Sequence, residues 1–179
     1  MRILWAVSSV GKGHVVRDMA IARQLEKLAK VEIDWLAPHP AGEFLRQRGH
    51  HVLESSSRLR GSGKAYEQVF AHCSDEFNLM DYIRVETKLH RHDFEVSAAA
   101  WTDEDYDAIV GDEAFWLLSG FSSRWGREPA PFVFLTDFIG TKAMRPRLND
   151  MIKAWLNIFG FSMSYMGPDV YVYIGEAEE

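Results

Sequence analysis

Cysteine is nearly absent from this sequence: Cys73 stands alone, so no intramolecular disulfide can form. A reducing compartment is expected, with Cys73 a core or half-buried residue rather than a reactive one. Basic residues are in the minority, and the formal charge of −6 argues against a generic nucleic-acid binder, because neutralising phosphates needs a basic field. Long apolar runs are missing as well, and no segment has the length and apolarity of a membrane span. The first strand starts at Arg2, so no secretory leader is expected and a cytoplasmic location is the default. Repeats and low-complexity stretches are also missing. So is a phosphate-binding P-loop: Ala6 stands where its first glycine belongs, and Gly13 follows Lys12. The dinucleotide fingerprint is matched only by Gly11 and Gly13, with Val16 at the third glycine position.

What is present begins at the N-terminus. Arg2-Ile3-Leu4-Trp5-Ala6-Val7 reads as a buried parallel strand, and from His14 to about Lys30 apolar residues (Val15, Met19, Ala22, Leu25, Ala29) recur at helical spacing. Between them lies the turn Ser8-Ser9-Val10-Gly11-Lys12-Gly13. Glycines there let the backbone approach a ligand, and the first helical N–H groups with the helix dipole favour an anion. His14 and Arg17, three residues apart on the first turn of the helix, lie on neighbouring parts of one face.

Strand-like and helix-like segments then alternate. Residues 31–37 read as a second strand, 41–47 as a short helix closed by Gly49, and 51–54 as a third strand. Residues 55–64 form a loop with no evident reason to be ordered. Its Arg58, Arg60 and Lys64 either contact an anionic acceptor or are simply solvated. A helical pattern covers about 65–100, with a break near Cys73-Ser74-Asp75. Strands are expected at 107–111, 132–136 and 170–174, and helices at 113–118 and 145–161. With 179 residues and 47% apolar composition this makes one domain. The order implies a Rossmann-like three-layer α/β domain, with a twisted, mainly parallel sheet and helices on both faces. No metal site is expected at His90-Arg91-His92-Asp93, since Arg91 repels a cation and histidines two apart leave a helix on different faces.

The pattern Gly11-x-Gly13-His14-x-x-Arg17-x-x-Ala20-Ile21-Ala22-Arg23-x-Leu25, then Trp35-Leu36-Ala37-Pro38 and Phe44-Leu45-x-x-x-Gly49-His50-x-Val52, resembles the N-terminal domain of GT-B glycosyltransferases. Family 28 and family 1 are the nearest groups, including the lipid-linked N-acetylglucosaminyl transferase of peptidoglycan synthesis and UDP-sugar-dependent transferases of small molecules. The first fifty or so residues carry the resemblance. It continues more loosely through Tyr106-Asp107-Ala108-Ile109-Val110-Gly111-Asp112 and Pro131-Phe132-Val133-Phe134-Leu135. The peptidoglycan enzyme has consecutive glycines where Lys12 stands here, so its acceptor is not carried over.

The resemblance implies the acceptor-side half of an inverting, metal-independent transferase that needs no cofactor. A separate C-terminal domain would hold the nucleotide-sugar donor, and this chain ends near where the linker to it would begin. Sugar transfer to a hydroxyl needs a base, and in the small-molecule enzymes a histidine after the first strand and an aspartate after a later one form a dyad. The matching residues are His14 and Asp112. Both follow C-terminal strand ends, where open parallel sheets bind ligands. Ser9, Gly11, Gly13, Arg17 and Glu113 are the expected substrate contacts, the acceptor being a small molecule or lipid-linked.

Other readings stay open. His14 is also placed for a solvent-exposed capping region, and Asp112 for the N-cap of the helix at Glu113. Arg17 suits an anionic acceptor or phosphate, or a pairing with Asp34 or Glu113. Phe115, Trp116 and Phe138 are placed to stack on an acceptor or to fill the core. Residues 151–166, flanked by Arg145, Arg147 and Lys153, suit peripheral contact with an acidic bilayer, or a core helix packed on the missing domain. The alternative to an enzyme is a non-catalytic Rossmann-like module that binds a nucleotide or sugar.

Overall fold

The apolar run at the N-terminus becomes β1 (Arg2–Val7), an interior strand of the sheet. A computed structural model describes residues 1–61, 63, 79–102, 104–123, 125, 129–137, 152 and 167–175. In it β1 pairs with β2 (Glu32–Leu36) on one side and β3 (Ala108–Asp112) on the other, followed by β4 (Phe132–Thr136) and β5 (Val170–Tyr173). All four pairings are parallel, in the order β2-β1-β3-β4-β5. Such a sheet buries both faces, which is why β1 reads as an unbroken apolar run rather than an alternating one.

Each face has its own core. Ile3, Trp5 and Val7 pack with Val15, Met19 and Ala22 of α1 (Gly11–Leu28) and with Ala41 and Leu45 of α2 (Ala41–Arg46). Leu4 and Ala6 point the other way, to Phe94 of α3 (Leu79–Thr102) and Trp116, Leu117 and Phe121 of α4 (Phe115–Ser122). Gly120 of α4 is a close-approach position, since a Cβ there would stand 1.9 Å from Phe94 Cδ2. The layers are those of a Rossmann-like α/β domain. Among the described residues no helix is long and apolar enough to cross a membrane.

Strand register positions the site. Val7 pairs with Asp112, and Asp112 with Leu135, so β1, β3 and β4 end level and their following residues share one edge. The opposite edge is braced by the buried Asp34, which accepts from Arg2 Nε (2.9 Å) and the Tyr106 hydroxyl (3.0 Å).

Several elements differ from their sequence-based boundaries. Helix α1 starts at Gly11, so Gly11 and Gly13 form its first turn and His14 follows them. The strand expected at 51–54 is reduced to one bridge, Trp35 with Val52. Serine hydroxyls turn the chain instead: Ser57 Oγ donates to the Glu54 carbonyl (2.7 Å) within a 3-10 turn at Glu54–Arg58. The loop beyond is ordered by Asp93, whose carboxylate accepts from the backbone N–H of Arg60 (2.9 Å) and Gly61 (2.7 Å). The helix expected at Glu113 begins at Phe115, because Glu113 takes a φ of 45° that ordinary helix does not allow. The expected helix at 145–161, the apolar segment 151–166 apart from Ile152, the break near Cys73, Lys64 and Phe138 lie outside the described residues.

Candidate active site

Four short pieces of chain meet at the C-terminal edge of the sheet. The first is the turn after β1. Ser8 is buried and its Oγ accepts from the Val10 N–H (3.2 Å), while Ser9 Oγ accepts from the Gly63 N–H (3.0 Å). Gly61, at φ 69°, packs so closely on Ser9 that a Cβ would lie 2.6 Å from the serine Cβ. Ser9 therefore holds Gly61 and Gly63 beside the helix start. Gly13 has open space where a side chain would project, next to first-turn amides that no helical carbonyl can satisfy.

The second and third pieces are α1 and the end of β3. Asp112 is fully buried as the last residue of β3, and His14 reaches it across the level strand ends: Nδ1 lies 3.1 Å from Asp112 Oδ2. The His14 side chain keeps 16% of its surface exposed, so the pair opens to solvent on the histidine side only. Asp112 caps no helix. The residue before α4 is Ala114, and the cap carries no side-chain hydrogen bond.

Arg17 is not paired with Asp34 or Glu113. Its Nη2 donates to Asp112 Oδ1 at 2.5 Å and its Nη1 to Asp137 Oδ2 at 2.8 Å. Asp34 is occupied at the far edge by Arg2, Tyr106 and His51. The guanidinium is thus spent on two carboxylates rather than held out for an anionic ligand. Arg17 Nη2 also lies 2.9 Å from His14 Nδ1, so that ring nitrogen stands between a donor and a carboxylate. A proton on Nδ1 bonds it to Asp112 and leaves the Nε2 lone pair outward. The other tautomer accepts from Arg17 and turns an N–H outward.

The fourth piece is the end of β4. Glu113 Oε1 accepts from the Thr136 hydroxyl (3.2 Å), and its Oε2 stands 3.6 Å from His14 Nε2, beyond hydrogen-bond reach. The positive φ of Glu113 is the backbone outlier that aims this carboxylate back over the site. Charges here perturb one another. The Asp112 hydrogen bond raises the His14 pKa above its ordinary value, with desolvation opposing. Desolvation raises Glu113, helped by Asp137, while hydrogen bonds from Glu113 and Arg17 hold Asp137 down.

The structure brings together Ser9, Gly13, His14, Arg17, Asp112 and Glu113, with Gly11 opening the same helix. Two members were not anticipated. Asp137 follows β4 as Asp112 ends β3, so its place was readable from strand register alone. Asp18, fully buried one turn beyond His14, interrupts the apolar stripe Val15, Met19, Ala22 and could have been noticed for that reason. Trp116 is core, and Phe115 packs on Phe134 with ring centroids 5.6 Å apart. Of the expected non-ligating cluster, His90 Nδ1 lies 3.1 Å from Ser119 Oγ and His92 Nδ1 2.9 Å from Asp93 Oδ1.

No protein-family model matches the sequence, and no curated protein matches it. Among solved structures, MurG of Acinetobacter baumannii matches over 99% of this chain and 43% of its own, at 13% identity and a TM-score of 0.53. The glycosyltransferase SnogD of Streptomyces nogalater matches over 99% of this chain and 46% of its own, at 13% identity and a TM-score of 0.57. The chain spans less than half the length of either. At such identity the likeness is one of fold, the layered α/β arrangement described above.

Proposed function

We propose that this chain is the acceptor-binding half of an inverting glycosyltransferase, moving a sugar from a nucleotide-sugar donor to an acceptor hydroxyl. The observation that carries the reading is the His14 to Asp112 contact: a half-open imidazole held at Nδ1 by a fully buried carboxylate, at the sheet edge where such folds bind ligands. The glycosyltransferase fold supports it.

In this reading the acceptor hydroxyl lies against His14 Nε2. With Nδ1–H donated to Asp112, the Nε2 lone pair removes the hydroxyl proton as the oxygen attacks the anomeric carbon, and Asp112 stabilises the imidazolium that results. The nucleoside diphosphate leaves from the opposite face of that carbon, giving inversion. Glu113 stands on the same side of the ring and is positioned to accept from a second acceptor hydroxyl, while Ser9 and the Gly11–Gly13 turn line the approach. Arg17 holds Asp112 and Asp137, and in this account is a positioning residue that does not bind the acceptor. The acceptor is then a polyol presenting neutral hydroxyls to this edge.

The donor, a UDP-sugar or similar, belongs to a second domain joined after β5, and the working enzyme is the polypeptide that carries both. No metal or cofactor enters this mechanism, and peripheral contact with an acidic membrane through residues 145–166 remains part of the proposal. The test is transfer by the two-domain polypeptide with and without His14. Loss of transfer with donor binding retained in His14→Ala supports the base. Ligand binding that never leads to transfer in any form of the protein would leave the non-catalytic module instead.

A further inference from the structure

Behind the His14–Asp112 pair lies a carboxyl group that the mechanism above does not use. Asp18 sits on α1 four residues after His14, within the stripe of Val15, Met19 and Ala22 that packs on β1, and it is completely buried. Neither of its oxygens makes a hydrogen bond of ordinary geometry, and the indole N–H of Trp5 on β1, which stands by it, is likewise without one. The groups that act on Asp18 are Asp112 from β3, Arg17 from its own helix and Trp5 from β1. Two fully buried carboxyl groups therefore act on one another, and the guanidinium that acts on Asp18 is itself bonded to Asp112 and Asp137.

Charge balance decides the state of this pair. An ionised carboxylate buried without a good donor is strongly disfavoured, and a second negative charge beside it disfavours it further. Asp112 has its donors in Arg17 and His14; among the described residues Asp18 has only the Trp5 indole N–H beside it, outside ordinary hydrogen-bond geometry. The proton therefore belongs to Asp18. Burial pushes its carboxyl up to about 9, the Asp112 carboxylate adding to the rise and Arg17 opposing it.

We propose that Asp18 is a positioning residue that stays a neutral acid and offers its O–H to the buried Asp112 carboxylate, so that Asp112 draws His14 toward the imidazolium less strongly than it otherwise would. A carboxylate that accepts from a third donor has less charge to hold a proton on its neighbour. The consequence for catalysis rests on the reading of His14 as the base, for which the ring must be neutral before the acceptor arrives. The consequence for titration does not rest on it.

The test is the titration of the His14 ring, followed by NMR in the chain as it stands and assigned by the loss of its signals in His14→Gln. Asp18→Asn keeps a neutral donor of the same shape, and Asp18→Leu removes it. A neutral, donating Asp18 leaves the His14 midpoint nearly unmoved in Asp18→Asn and raises it by about 0.5 unit or more in Asp18→Leu. An ionised Asp18 would lower the midpoint in both variants, and a spectator would change neither; either result overturns the proposal. Should Asp18→Leu fail to fold, infrared difference spectra of wild type against Asp18→Asn decide at neutral pH. A carboxylic-acid C=O band assigned to Asp18 supports the proposal, and a carboxylate band in its place overturns it. Both readouts are independent of sugar transfer, so they stand or fall separately from the proposed activity.

Discussion

Arg17 and Asp112, 95 positions apart, are joined by a 2.5 Å contact in which the arginine Nη2 meets Oδ1 of a carboxylate with no exposed surface. Among the described residues that contact supplies the only full positive charge bonded to Asp112 when His14 is neutral. Removing one partner of a buried pair leaves the other charge uncompensated, which is the costly case. Arg17→Gln is expected to destabilise the fold by about 2–3 kcal/mol in urea unfolding, discounted for the part of Arg17 that solvent reaches. Adding Asp112→Asn to Arg17→Gln is expected to restore part of that loss, because the stranded charge is gone. Additive costs would place the Arg17 effect elsewhere.

The pH dependence of transfer follows from the His14 site. The Asp112 hydrogen bond, against desolvation, raises the ring above its ordinary 6.5, and only the neutral ring is a base. The acid limb of kcat/KM is therefore expected above pH 6.5, and Asp112→Asn is expected to move it down. The linked stability has the same sign: the protonated ring adds stability that is complete below 6.5 and lost as pH rises through the folded-state value. An acid limb below 6.5 in the wild type would contradict the account.

Asp18 makes its own mark on stability. Its folded-state pKa, about 9, is raised from an ordinary 3.8, so the folded chain binds the extra proton across this interval and stability falls as pH rises through it. Asp18→Asn cannot ionise. It is expected to lack this slope, so its stability relative to the wild type grows steadily as pH rises from about 4 to 8. Chemical denaturation of both proteins at several pH values measures the difference, and parallel curves would mean that Asp18 does not hold its proton.

A purely steric expectation concerns the far layer. A methyl group at Gly120 would fall 1.9 Å from Phe94 Cδ2, in a core that also holds Trp116 and Phe121. Gly120→Ala is expected to cost about 1–3 kcal/mol, and Phe94→Leu in the same chain to recover part of it. A neutral Gly120→Ala would show that α3 and α4 pack less closely.

The layered fold was legible because burial writes itself into composition. Ile3 to Val7 had to be a covered strand, and residues 132–136 matched β4 at both ends. The contact of His14 with Asp112 was approachable for the same reason, since both residues follow or end strands whose tips must align in a parallel sheet. What escaped was set by tertiary partners. Nothing local distinguishes 51–54 from a strand until Ser56 and Ser57 bond to nearby backbone, and the loop beyond looks free until Asp93, more than thirty residues away, is seen to hold Arg60 and Gly61. The pairing of Arg17 with Asp137 was missed because that partner lies 120 positions on and becomes visible only through the β3–β4 register. Asp18 was passed over because a helical apolar stripe is read by its apolar members.

The most direct measurement is a double-mutant cycle on transfer by the two-domain polypeptide: wild type, His14→Ala, Asp112→Asn and the double variant. If His14 takes the acceptor proton while Asp112 orients it, His14→Ala lowers kcat by about 10² to 10⁴ with donor affinity retained. Asp112→Asn then lowers it less, and the double variant is little worse than His14→Ala alone. Full activity in His14→Ala, or effects of the two substitutions that simply multiply, would contradict the account.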